Sequence, residues 1–105
     1  MSLRAFLISD NHDTLVALRL AGIKGTLAYS KDEIINAISE ALKDEYLGIL
    51  VVTEKISSYV PHVVRDLRER GELPLIVEVP DRHGSRRDRD FLTSYLREAI
   101  GVNIE

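Results

Sequence analysis

The sequence predicts an α/β fold: a four-stranded parallel sheet in the order 2-1-3-4, flanked by helices, with a further helix tethered at the C-terminus. Three observations carry this prediction. Residues 47–53 (Leu-Gly-Ile-Leu-Val-Val-Thr) form an apolar run without alternation, rich in β-branched side chains. Charge bounds it on both sides, with Lys43, Asp44 and Glu45 before it and Glu54 and Lys55 after it. A strand covered on one face alternates apolar with polar residues, so an unbroken run indicates cover on both faces, as in a central parallel strand between helices. Strand-like and helix-like stretches then alternate along the chain, and the helix-like ones carry their own start and stop signals.

Residues 3–9 read as the first strand, with Arg4 near its exposed start, and the polar turn Asp10-Asn11-His12-Asp13 behind it offers N-caps. Residues 14–21 place Leu15, Leu18 and Ala21 on one helical face, and Gly22 stops that helix. Residues 25–29 are short and weakly apolar, which suits an edge strand. Ser30 and Glu33 form a capping box, behind which Ile34, Ile35, Ile38, Ala41 and Leu42 recur at helical spacing. After the central strand, residues 54–58 read as a loop. Pro61 then opens a helix whose buried stripe is Val60, Val63, Val64 and Leu67, and Gly71 ends it. Residues 73–79, with Pro74 near their start and Pro80 behind them, make the fourth strand. The first and third strands are the most apolar and belong in the middle, joined by right-handed crossovers.

Composition changes at Pro80, which divides the chain into an α/β core, residues 1–80, and a tail, residues 81–105. Residues 81–90 contain no large apolar side chain and read as a solvated, mobile linker. Phe91, Leu92, Tyr95, Leu96, Ala99 and Ile100 then recur at helical spacing up to Gly101. With 105 residues, 45% of them hydrophobic, the chain suits one domain. There is no cysteine, hence no disulfide, thiolate metal site or cysteine nucleophile. No apolar run approaches the ~20 residues that span a bilayer, and no signal peptide is predicted. A net charge of −3 argues against a nucleic-acid partner.

Candidate chemistry gathers at one edge. Asp10 and Asp13 fall at the C-terminal end of the first strand, where open parallel sheets place ligands, and Glu54 follows the central strand. The three acids can converge on a divalent cation in the manner of a receiver-like signalling domain. However, the phosphoacceptor position of a receiver holds Thr53 or Glu54, and its lysine is missing after strand four. The alternative is that Asp10 and Asp13 cap the first helix and favour its positive end. His12, His62 and His83 lack metal-site spacing, and the serines and glycines lack nucleophile-elbow or phosphate-loop context. Arg82, Arg86, Arg87 and Arg89 can meet phosphate or an acidic partner, but Asp81, Asp88 and Asp90 interleave with them, so a solvated tether is the competing reading. No catalytic residue, metal ligand or cofactor site is predicted.

Residues 10–23 (Asp-Asn-His-Asp-Thr-Leu-Val-Ala-Leu-Arg-Leu-Ala-Gly-Ile) resemble the N-terminal signature of the F subunit of V-type and archaeal-type ATPases, Gly-Asp-x-Asp-Thr-Val-x-Gly-Phe-x-Leu-Ala-Gly-Ile. The match rests on Asp13, Thr14, Leu20, Ala21, Gly22 and Ile23. Asp10 and Asn11 stand where the family has Gly-Asp, and Ala17-Leu18 where it has Gly-Phe. Residues 49–54, 73–80 and 99–102 are similar to further family stretches in the same order, so the resemblance covers nearly the whole chain. It implies a Rossmann-like core and a non-catalytic central-stalk subunit of a rotary ATPase. Such a subunit binds the long coiled coil of the stalk's D subunit and, through it, turns inside the catalytic A/B ring. The location implied is cytoplasmic, peripheral to the membrane and without membrane insertion. On this basis Phe91, Leu92, Tyr95 and Leu96 are expected to form the contact stripe, with Arg86, Arg87 and Arg89 choosing register against acidic positions. The other expectation open for those four apolar residues is packing against the chain's own sheet.

Overall fold

The computed structural model describes residues 3–80. Along it follow β1 (Arg4–Ser9), α1 (His12–Leu20), β2 (Lys24–Leu27), α2 (Lys31–Leu42), β3 (Leu47–Thr53), α3 (Glu54–Tyr59), α4 (Pro61–Glu69) and β4 (Leu75–Val79). The strands are parallel in the order β2-β1-β3-β4, as the sequence predicts. The tail, with Arg86, Arg87, Arg89, Phe91, Leu92, Tyr95 and Leu96, lies outside the described residues.

Register explains the unbroken apolar run of β3. Ala5, Phe6, Leu7 and Ile8 of β1 lie opposite Ile49, Leu50, Val51 and Val52. Ile8, Leu50 and Val52 point into a core cluster with Ile34 and Ile38 of α2, Ile56 of α3, and Val64 and Leu67 of α4. Leu7 and Val51 point the other way, into a cluster with Leu15, Ala17 and Leu18 of α1, Ile23 and Val79. The chain steps one way from β1 to form β2 and the other way to form β3 and β4. Crossovers of a single hand therefore put α1 on one face and α2 and α4 on the other.

Several local expectations are corrected. Residues 54–58 form α3, not a loop: the Thr53 hydroxyl accepts from the Ile56 N–H at 3.4 Å, and Ile56 is fully buried. This helix stops at Val60 (φ −133°, ψ 54°) because a residue before proline is pushed out of the helical region, and Pro61 then opens α4 as N1. Ile35 is not part of the buried stripe of α2; it is 38% exposed, while Ala37 packs against the core. The edge strand is Lys24–Leu27 and not residues 25–29, and β4 begins at Leu75, where its pairing with Ile49 of β3 starts. The capping box of α2 is present in both directions, Glu33 N–H to Ser30 Oγ at 3.2 Å and Ser30 N–H to Glu33 Oε1 at 3.1 Å.

Two glycines are needed for different reasons. Gly71 has φ +67° in open space behind α4, so a side chain there would be strained by the backbone alone. Gly25 is required by close approach: a Cβ there would lie 2.7 Å from the Leu7 carbonyl oxygen and 2.8 Å from the Leu7 Cβ. We expect Gly71→Ala to cost about 1 kcal/mol and Gly25→Ala about 1–3 kcal/mol, because β1 and β2 must part. Thermal unfolding followed by circular dichroism checks the order, each kcal/mol lowering Tm by about 4–8 °C in a domain of this size. A Gly25→Ala melting point at or above that of Gly71→Ala would contradict the close packing of β2 on β1.

Candidate functional site

The C-terminal edge of the sheet is built from the ends of β1 and β3. Ser9, Thr14 and Thr53 are the buried polar residues among those described, and all three sit here. Ser9 Oγ accepts from the Asn11 N–H at 2.9 Å and donates to the Asn11 carbonyl at 2.8 Å, which turns the chain sharply out of β1. Asn11 Oδ1 then accepts from the Asp13 and Thr14 N–H groups at 2.8 and 3.2 Å. Asn11 is therefore the cap of α1. The expectation that Asp10 and Asp13 cap it is corrected, while Asp13, exposed in the first turn, does favour the positive helix end as expected.

Asp10 is engaged across the sheet instead. Its Oδ1 accepts from the Thr53 hydroxyl at 2.7 Å, the same hydroxyl that accepts from the Ile56 N–H. One buried oxygen thus joins the turn after β1 to the start of α3. Among the described residues no buried side-chain nitrogen or oxygen lacks a partner. No three His, Cys, Asp or Glu side chains among them come together as metal ligands. Asp10, Asp13 and Glu54 therefore do not form the trio a receiver-like site needs. Glu54 lines a separate opening of about 500 Å³ with Arg68, Glu78 and Pro80, where Arg68 and Glu78 approach to 3.7 Å. His12 and His62 are exposed, and Arg65 lies 2.7 Å from His62 Nδ1.

The opposite end of the molecule carries two features that sequence reasoning missed. On the α1 face, Ala5, Ile49 and Leu75 stand in one row across three strands; Ala5 and Ile49 pack against the α1-side cluster, while Leu75 is 61% exposed. On the other face an open groove of about 490 Å³ runs beside the C-terminal half of α2. Phe6, Thr26 and Leu47 come from the strands, and Asn36, Ala37, Glu40 and Ala41 from the helix. Asp44 closes its end. Both Asp44 oxygens take a 3.1 Å bond from Arg4 Nη1, and Oδ1 also accepts from the Tyr46 N–H at 2.9 Å. The Tyr46 N–H, and then the Arg4 guanidinium, hold this carboxyl below its ordinary pKa.

Comparison with known proteins gives one consistent result. The model of the family described as ATP synthase (F/14-kDa) subunit matches residues 6–96. The F subunit of the A-type ATP synthase of Methanosphaera stadtmanae is 33% identical over 99 residues, covering 92% of each chain. That of Methanothermobacter thermautotrophicus is 31% identical, also with 92% of each chain covered. Among solved structures, the F subunit of the V-type ATP synthase from Archaeoglobus fulgidus is similar with a TM-score of 0.62 and 25% identity, across 75% of this chain and 99% of that one.

Two outcomes are expected at these sites. Thr53→Val keeps the shape but removes the bond to Asp10 and the cap of α3, a loss of about 1–2 kcal/mol seen as a lower Tm. Magnesium chloride should leave the melting points of wild type and variant unchanged; a magnesium-dependent rise in the wild type would restore the cation reading. Asp44, with its folded-state pKa depressed, contributes stability that is complete above its unfolded pKa and fades as pH falls through the folded one. As pH falls from the unfolded aspartate value of about 3.9 through the lower folded one, the Tm advantage of wild type over Asp44→Asn should therefore shrink to nothing. A constant difference would argue against the Arg4 and Tyr46 assignment.

Proposed function

The chain belongs to the ATP synthase F/14-kDa subunit family, and from that premise we propose that it is a non-catalytic component of the central stalk. In this role it binds the coiled-coil D subunit and turns with it inside the catalytic A/B ring, helping couple ATP turnover to ion translocation. The observation that carries the reading is the use made of the polar edge. Ser9, Asn11, Asp10 and Thr53, where an α/β enzyme would aim groups at a ligand, are bonded to one another and to helix starts. With its polar groups used in this way, the core is suited to presenting surfaces. No helix among the described residues is long and apolar enough to cross a membrane. The position that goes with the stalk role is peripheral, on the cytoplasmic side of the complex.

The contact we assign to the tail is the stripe Phe91, Leu92, Tyr95 and Leu96, with Arg86, Arg87 and Arg89 pairing with acidic positions on the coil. Helical spacing on a tether of nearly balanced charge supports it. The test is calorimetric titration of the recombinant coiled-coil subunit into the full chain and into a chain ending at Pro80, with circular dichroism as the check on folding. The shortened chain should keep its helix and sheet signal and bind at least about tenfold more weakly. Equal affinities would remove the stripe from the interface while leaving the family assignment intact. A folded full chain that fails to bind the coiled coil would overturn the stalk reading.

A further inference from the structure

The chain leaves the core through a charged opening, and the first arginine beyond it, Arg82, has no part in the contact assigned to the tail above. After Val79 ends β4, Pro80 is itself a wall of the opening of about 500 Å³ at the C-terminal edge of the sheet. Glu54 at the start of α3, Arg68 of α4 and Glu78 of β4 form its other walls. Among the described residues lining it, Arg68 is the one cation, set against two carboxylates. It stands 3.7 Å from Glu78 in a loose, partly solvated pair, with side-chain exposures of 50% for Arg68 and 34% for Glu78. Glu54 and Glu78 both take part in interactions besides this one. A second cation would balance the opening.

We propose that Arg82 is that cation, its guanidinium bridging Glu54 and Glu78 and anchoring the base of the tail at the end of β4. Chain length selects it. Arg82 follows Pro80 by two residues, so its Cα lies within about 7 Å of the Pro80 Cα, at ~3.3–3.6 Å per extended residue. Its long side chain therefore stays within reach of the opening, whereas the Cα of Arg86 is free to lie up to about 20 Å away. Chemistry agrees, because a planar guanidinium with five donors faces two carboxylates at once. The anchor leaves Arg86, Arg87 and Arg89 for the coil and makes residues 83–90 the working length of the tether to Phe91. A shorter tether from a fixed point raises the effective concentration of the contact stripe at the partner. The anchor itself needs only this chain, so it stands or falls separately from the stalk reading.

The experiment is brief trypsin digestion of the full chain, with the cuts after Arg82, Arg86, Arg87 and Arg89 resolved by mass spectrometry. Trypsin must take the arginine side chain into its own pocket, so cutting tracks the fraction of Arg82 released from the carboxylates. Closeness to the folded core also slows this cut. The readout is therefore the rate at Arg82 relative to the other three arginines, compared between wild type and Glu54→Gln/Glu78→Gln. That ratio should rise about fivefold in the double variant. Salt at about 1 M should raise it in wild type and leave the variant unchanged. An unchanged ratio in the folded double variant overturns the proposal, and so does a rise confined to Arg86, Arg87 or Arg89. If circular dichroism shows the double variant unfolded, Glu54→Gln, at an exposed position, decides together with the salt series. It should raise the ratio at least about twofold, and no change in either overturns the anchor.

Discussion

Burial of β3 on both faces is the constraint from which the rest of this structure follows. Leu50, Val51, Val52 and Thr53 are each no more than 1% exposed, though successive side chains point to opposite sides of the sheet. A parallel strand can be covered in this way only if helices occupy both faces. Each fully buried aliphatic side chain contributes about 1.5–3 kcal/mol, so the central pair β1–β3 concentrates much of the hydrophobic stabilisation. Gly25 belongs to the same constraint, because β2 can pair with β1 under Leu15 only where it carries no side chain.

Apolar packing alone would leave the helix starts at the C-terminal edge with unpaired N–H groups. Hydroxyl and amide side chains supply the partners there. Thr53 is the joint among them, since its hydroxyl both donates to Asp10 and caps α3. Between β1 and β3, where other parallel sheets open toward a ligand, this edge is closed by its own side chains. This suits the non-catalytic stalk role we propose. The interaction surface we propose lies elsewhere, along the tail.

Most of the sheet was legible because its signals are local. The run in β3, the capping box at Ser30 and Glu33, and the glycines behind α1 and α4 each depend on residues within a few positions of one another. The misreadings also have physical causes. Asp10, Asn11 and Asp13 are all good caps by type; which one serves depends on the Ser9 turn and on Thr53, a partner 43 residues away. The helix α3 was hidden because its six residues show one buried side chain, Ile56, and no periodicity to recognise. Its start signal, a threonine at the end of a strand, was nonetheless present.

By itself, then, the sequence determined the alternation of four strands with α1, α2 and α4, the parallel sheet and its strand order, because alternating patterns and handed crossovers leave few arrangements. It also carried the family resemblance, through Asp13-Thr14 and Leu20-Ala21-Gly22-Ile23. Tertiary structure decided the fate of the polar groups. It turned Asp10 toward Thr53 and kept Glu54 out of a common site with Asp10 and Asp13. It also assembled a groove from Phe6, Thr26 and residues 36–47. Those positions are distant in the chain, and only the register of β1 against its neighbours, with α2 lying across them, brings them together.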